Sequence, residues 1–491
     1  MSDPFAIDQG AESPPDAMTG AGRSAALAAG PVGEAHTRID RHASDRRPEE
    51  RDPIDGEPLV VTPTGMDWWL LAAFIGLATV GVVMAFSASM YDAVHGHHGD
   101  ELHFLHRHLA YACVSLVALF VGLVVPYRLW ARLAWPSLIA TIGLLIAVLL
   151  FGETVNRATR WLDFKFFRFQ PAELAKLVFA LYLAWSLSKK AGRGAIRTFS
   201  VGLAPHFLVW VIVFGLCMRQ PDLGTGIVLA ILLFAMTFVA GTNVAYLVFI
   251  GLSGAFGLGW FLIHDPMRSR RITAFLEPLV NRQDSAYQLF NGKLAIATGG
   301  FLGQGLGASR QKLGFIPEAH TDFVLSVIGE ELGILGLALV AVLFGVIMWR
   351  GLRIARGARC EFGRLLAIGL TTLFGTHAAI NYGVVMGLLP TKGLTLPFIS
   401  YGGSSLAVMA LSAGILLGVG RGHGAILPDG SLDDEAFDDE AVDDEALDDE
   451  AHYDEAHDDE AHDDEDCGEI GPDLTPGALA PPASTPLGGV A

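Results

Sequence analysis

The stretch Ile316-Pro317-Glu318-Ala319-His320-Thr321-Asp322-Phe323 gathers two carboxylates, an imidazole and a hydroxyl just ahead of an apolar run that carries Glu330 and Glu331. Each ionisable group at membrane depth costs about 2.5–3.5 kcal/mol near the centre, so such groups mark function or a buried partner. Asp322 is expected in a first helical turn at the membrane surface, where the helix amides favour its ionised form. Thr321 or Asp322 could equally well be a simple helix cap, and spacing alone leaves both readings open. Glu330 and Glu331 fall about 12 Å deeper along a helix and point in different directions, so each needs a partner inside the bundle.

Three further groups have chemical potential. Glu173 and Lys176 follow Phe169-Gln170-Pro171. Their i, i+3 spacing places acid and base on one helix face, and Pro171 suits the helix start. An interfacial pair that snorkels to water is the plainer reading. Upstream, Arg157, Arg160, Trp161, Lys165 and Arg168 make a basic, aromatic hairpin, suited either to a phosphate-bearing headgroup or to anchoring on lipid phosphates. Gln220-Pro221-Asp222-Leu223-Gly224-Thr225 reads as a short turn opening a helix. Finally, Asn381 to Ser405 includes Pro390, Gly393, Pro397, Ser400, Tyr401, Gly402, Gly403, Ser404 and Ser405. Gly and Pro at that depth imply a broken helix, tolerated only where it lines a protein cavity. His377 and Asn381 share a face of the helix before it.

The elements that must position these residues are membrane helices. Of the 491 residues, 52% are hydrophobic and only 17% charged, outside the soluble range. A span needs about 20 mostly apolar residues, and candidates run at 68–87, 109–125, 133–151, 172–188, 201–218, 223–240, 244–263, 323–349, 365–388 and 398–420. The expected fold is therefore all-α, a polytopic membrane protein of about ten helices. The connection 264–322 is expected to be a large, ordered, partly embedded extracytoplasmic loop. Clusters such as Lys189-Lys190, Arg193, Arg197, Arg350, Arg353 and Arg356 favour a cytoplasmic N-terminus. The opposite side still carries Arg160, Arg168, Arg219, Arg268, Arg310, Lys312 and Lys392, which calls for an anionic ligand.

Both tails read as disordered. Residues 1–66 are polar and lack the apolar core of a signal peptide. Residues 423–491 hold an Asp-Asp-Glu-Ala-X repeat. The net charge of −19 becomes +2 once the 21 acids of 433–466 are set aside, so the acidity belongs to a solvated tail. His452, His457 and His462 in it do not outweigh that reading. Cys113, Cys217, Cys360 and Cys467 show no paired spacing, which predicts neither disulfide nor zinc, with Cys113 and Cys217 as small core residues. Gly303-Gln304-Gly305-Leu306-Gly307 lacks the strand–helix frame of a nucleotide loop, and nothing points to nucleic acid.

In series, Arg160-Trp161, Phe169-Gln170-Pro171-Ala172-Glu173-Leu174-Ala175-Lys176, Gln220-Pro221-Asp222-Leu223-Gly224, Tyr287-Gln288, Gln311-Lys312-Leu313, Pro317 to Phe323, Gly329-Glu330-Glu331-Leu332-Gly333 and Pro397 to Ser405 resemble the SEDS family (shape, elongation, division and sporulation), the FtsW/RodA/SpoVE group. The resemblance covers about 67–422, and Pro-Glu-Ala-His-Thr-Asp is closest to the division member FtsW. Lys293 is nearer the elongation-type RodA habit. The resemblance implies a peptidoglycan glycosyltransferase of the bacterial plasma membrane, with both termini cytoplasmic, acting at the division septum. It would join lipid II disaccharides by β-1,4 bonds and release undecaprenyl pyrophosphate. Asp322 would be the general base. Glu173, Lys176, Arg160, Trp161, Gln220, Asp222, Lys312, His320, Thr321, Ser400, Gly402 and Ser404 would bind substrate, with Lys176 and outer arginines stabilising the pyrophosphate. No protein-held metal is implied, although a divalent cation, Mg or Mn, could assist. The implied partners are lipid II and the growing glycan strand, a class B penicillin-binding protein, other divisome proteins and membrane lipids. A lipid II flippase and a divisome scaffold are the alternatives from other classes.

Overall fold

The computed structural model describes residues 65–422 apart from 97–102, 156–157, 165–167, 191–194, most of 265–285, and 317–318. The two tails therefore lie outside the described residues, as do Arg157, Lys165, Pro317, Glu318 and much of the long connection. The described helices are α1 (Trp68–Gly96), α2 (His103–Val124), α3 (Tyr127–Phe151), α4 (Pro171–Ser188), α5 (Ala204–Arg219), α6 (Leu223–Val239), α7 (Val244–His264), α8 (Tyr287–Gly299), α9 (Val324–Glu331), α10 (Gly333–Arg356), α11 (Glu361–Val385) and α12 (Gly403–Gly420). Between α3 and α4 lies a small antiparallel sheet of β1 (Glu153–Val155), β2 (Ala158–Asp163) and β3 (Arg168–Phe169), in the order β1-β2-β3. The expected basic hairpin is thus a strand pair, with Glu153 opposite Trp161 and Asp163 opposite Arg168.

Every expected span contains a helix. Among the described residues, six helices are long and apolar enough to cross a membrane by length and composition alone, and two apolar segments, Leu223–Val239 and Val244–Gly257, are shorter. The polar exceptions sit at the centre. Helix α4 buries fifteen of its eighteen residues, packed between α3, α6 and α11. Helices α2, α3 and α7 leave large apolar side chains exposed, among them Val117, Phe120, Ile139, Leu150, Phe249, Leu252 and Phe256. That arrangement is costly in water and natural in lipid, where the outer face needs no polar coat. Cys113 is exposed on this outer face of α2, not in the core as its apolar surroundings suggested.

Two expected spans are broken. The stretch 323–349 is two helices, because Gly333 turns to φ +66° and the chain interlocks with the 299–303 turn: Ile334 N donates to Gly300 O at 3.0 Å, and Gln304 N to Glu330 O at 2.9 Å. A Cβ on Gly333 would lie 2.4 Å from Gly303 N, so glycine is required twice over. The stretch 398–420 becomes helical only at Gly403, and residues before it form an irregular segment inside the bundle.

Helices α2 and α12 pack closely. A Cβ on Gly414 would stand 2.1 Å from Leu119 O, and one on Gly122 2.5 Å from Leu411 O, so the two backbones touch as small residues in membranes allow. Gly414→Leu is expected to destabilise the fold by about 1–3 kcal/mol or more through overpacking. Gly345→Ala, whose new methyl meets no neighbour within 4 Å, is expected to be neutral or stabilising by up to about 1 kcal/mol. Denaturant unfolding in detergent micelles checks both.

Candidate active site

The irregular segment 393–402 joins the polar motifs. Its backbone polar groups find partners in side chains rather than in a helix ladder. Asn381 Nδ2 donates to Leu394 O at 2.8 Å, and His377 Nδ1 bonds Thr395 O at 3.0 Å. Leu396 N donates to Ser400 Oγ at 2.8 Å, and the Ser400 hydroxyl donates in turn to Thr321 O at 2.5 Å. Tyr401 N donates to His320 O at 2.9 Å. Phe398 takes φ +68°, an unfavourable conformation for a bulky residue. Its ring is held against Phe74 and Phe374, with centroids 5.2 and 5.9 Å apart.

The segment presents Asp322. The carboxylate is half-buried while Gly393, beside it, is exposed. A Cβ on Gly393 would lie 3.1 Å from Asp322 Oδ2. Asp322 is not in the first turn of a helix, nor is it a cap: α9 starts at Val324, its N-cap position is Phe323, and no side chain caps it. The capping aspartate is Asp222, which accepts from Thr225 N at 3.1 Å and Thr225 Oγ1 at 2.8 Å. Next to Asp322, the His320 ring meets Tyr401 edge-on at 5.7 Å, and Tyr401 stacks on His108 at 5.9 Å. Ser404 and Gly402 are half-buried at the start of α12.

Cations expected to meet substrate are engaged inside the protein. Lys176 has no exposed surface. Its Nζ donates to Glu173 Oε1 at 2.8 Å and lies 3.1 Å from His377 Nε2. It does not snorkel, and Glu173 holds its ammonium inside the bundle. Lys312, also buried, bonds Glu331 Oε1 at 2.8 Å and Ser87 Oγ at 2.9 Å. Arg160 donates from Nε to Gln220 O at 3.0 Å and from a terminal nitrogen to Pro221 O. Gln220 is buried and donates to Leu145 O at 3.1 Å. The hairpin is thereby docked on the α5–α6 turn, with Trp161 half-buried in it. Arg168 pairs with Glu153 and Asp163 at 3.2 and 3.7 Å. The turn reaches the central segment through Gly224, where a Cβ would stand 3.0 Å from the Leu394 side chain.

With that geometry in place, comparison with known proteins is decisive. A family model described as "Cell cycle protein" (FtsW/RodA/SpoVE) matches residues 68–423. The chain belongs to this family. It is 41% identical over 358 residues to the "Probable peptidoglycan glycosyltransferase FtsW" of Trichlorobacter lovleyi, covering 72% of this chain and 93% of that one. It is 38% identical over 362 residues to stage V sporulation protein E of Bacillus subtilis, covering 73% and 98%. Among solved structures, the rod shape determining protein RodA of Thermus thermophilus matches with a TM-score of 0.55 and 29% identity, over 73% of this chain and 98% of that one. A chain from a peptidoglycan synthase complex, in a study of the coordination of polymerization and crosslinking, matches with a TM-score of 0.59 and 28% identity, over 73% and 99%.

Within this family fold, Glu330 and Glu331 do have separate partners. Glu330 accepts from Ser309 Oγ at 2.5 Å, Arg310 N at 3.0 Å and Gln311 N at 3.2 Å, and Glu331 takes Lys312 and Ser87. Together they clamp the 303–316 loop to α9. Sequence reasoning missed Ser87, Ser309 and Thr395, whose partners lie far away in the chain. Among the described residues no group of three or more His, Cys, Asp or Glu could hold a metal ion. Removing Glu331 strands a buried lysine. Glu331→Ala is expected to cost about 3–5 kcal/mol, whereas the double change Lys312→Met with Glu331→Met is expected near neutrality. Denaturant titration of the purified variants measures both.

Proposed function

We infer that this chain is a peptidoglycan glycosyltransferase that polymerises lipid II at the outer face of the bacterial plasma membrane. Its kinship with proteins named for that activity supports the reaction. The observation that carries the site is the Asp322 carboxylate, half-buried against exposed Gly393 and braced by a segment held through several side-chain and backbone hydrogen bonds. There it can accept the proton of the acceptor sugar's 4-hydroxyl as that oxygen attacks the donor's anomeric carbon. The β-1,4 bond forms, the anomeric carbon–oxygen bond to phosphate breaks, and undecaprenyl pyrophosphate leaves with its electron pair. Lys392, next to Gly393, and exposed Arg310, in the clamped loop, are the cations disposed to offset the leaving charge. Lys176 and Lys312 hold the walls instead. If a divalent cation is bound, it supplies further charge neutralisation at the pyrophosphate.

The orientation follows from single helices. Glu173 lies in the first turn of α4, at the site, and Lys189-Lys190 follow its far end. Helix α10 runs from Gly333, beside the clamped loop, to Arg353 and Arg356 in its last turn. Basic ends belong on the cytoplasmic side, so the site faces outward and both tails lie inside. The FtsW-like Pro-Glu-Ala-His-Thr-Asp motif supports a role in septal synthesis, and the match to a synthase that couples polymerization with crosslinking supports a class B penicillin-binding protein as partner.

The test is polymerisation of lipid II by the full chain in proteoliposomes with its cognate transpeptidase, read as glycan length on gels. Wild type is expected to yield polymer. Asp322→Asn is expected to lose activity by about 100-fold or more while still inserting and folding. Full activity in that variant removes the assigned base, and lipid movement across the bilayer without polymer points to a flippase. Gly393→Val, which drives a side chain against Asp322, is expected to lower turnover by about 10–100-fold.

A further inference from the structure

Lys176 and Asp322 lie 146 positions apart in the chain, and the structure connects them through one imidazole. The Thr395 carbonyl can only accept, so the Nδ1 of His377 carries the proton and its Nε2 presents a lone pair. Lys176 donates to that lone pair at 3.1 Å and to Glu173 at 2.8 Å. His377 has no exposed surface, and both of its ring nitrogens are engaged. One turn further along α11, Asn381 holds the carbonyl of Leu394. Two successive carbonyls are thus gripped from one helix face, immediately after the glycine that flanks the Asp322 carboxylate. At its other end the same segment holds the backbone of His320 and Thr321 through Tyr401 N and Ser400 Oγ.

We propose that His377 is a positioning residue for glycosyl transfer: it ties the buried Glu173–Lys176 pair to the 393–401 segment and so sets where the Asp322 carboxylate stands. It is not a proton relay, because its Nδ1 proton faces a peptide carbonyl with no titratable group beyond it. It touches no substrate. The inference rests on Asp322 acting as the base, and it adds the means by which a buried ion pair reaches that base. Gln fits the same task, since one amide carries both an acceptor for Lys176 and a donor for Thr395. Leu offers neither.

The experiment measures kcat and KM for lipid II polymerisation, with thermal unfolding, for wild type, His377→Leu, His377→Gln and Asn381→Leu, each as the full chain with its cognate transpeptidase. His377→Leu is expected to lower kcat about 10–100-fold, as about 1 Å of misplacement of a catalytic group does, with KM within about twofold. His377→Gln is expected to stay within about threefold of wild type, because its two hydrogen bonds survive. Asn381→Leu loosens the same segment without stranding a charge, so it folds even if His377→Leu does not. It is expected to show a smaller loss confined to kcat. A purely packing role would lower the unfolding temperature and leave kcat of the folded fraction intact, and that result overturns the proposal. So does a loss that appears in KM with kcat retained, or an Asn381→Leu enzyme at wild-type kcat. Wild-type chain that makes no polymer overturns the assigned activity together with this inference, whereas active wild type with an unchanged His377→Leu overturns the inference alone.

Discussion

Backbone that leaves the helical ladder inside a membrane must have every amide and carbonyl answered from within the protein, because lipid offers no hydrogen bonds. That requirement bears hardest on residues 393–402, where several backbone groups are answered from other parts of the protein. Asn381, His377, Ser400 and the backbone of His320 and Thr321 are recruited to it. The recruits from outside the segment come from α11 and from the turn before α9, so satisfying the segment also draws these two into fixed relation. An unanswered peptide group in such a setting costs several kcal/mol. The site is rigid for the same reason that the segment is affordable at all.

The buried charges obey a similar logic. Glu173 with Lys176, and Glu331 with Lys312, are pairs of zero net charge whose partners are within 2.8 Å. Breaking either leaves a lone ion in low dielectric, while the intact pair adds little to stability over an apolar substitute. Their value is therefore geometric. The Lys312 pair pins the loop after α8 to α1 through Ser87, and the Lys176 pair pins α4 to α11 through His377. The charged residues of these two pairs thus serve the frame of the bundle.

How much of this the amino-acid sequence revealed depends on the range of the interaction. The spans were legible because burial in lipid demands long apolar runs, and the Glu173–Lys176 pairing because it is an i, i+3 relation on one helix. The broken helix near Gly393 announced itself by composition. The break at Gly333 did not, since a glycine inside an apolar run is common and only the close approach of Gly303 makes this one obligatory. Nor could spacing reveal that Lys312 is sealed against Ser87, 225 positions away. Reading Lys176, Lys312 and Arg160 as ligands for phosphate followed from their type, but long-range partners had already claimed them. The capping role expected of Asp322 exists in the chain, at Asp222, where the helix begins one residue later.

That last contrast bears on the base role proposed for Asp322. An aspartate at a helix cap is engaged by backbone amides; Asp222 is of this kind, buried and doubly bonded to Thr225. Asp322 stands two residues before its helix, half-buried, with the bare backbone of Gly393 for a neighbour. Placing a base there requires that the chain around it be fixed by something other than the base itself. Ser400 and Tyr401 supply that from one side, and His377 and Asn381 from the other. The backbone on both sides of the carboxylate is thus anchored by hydrogen bonds of neighbouring residues.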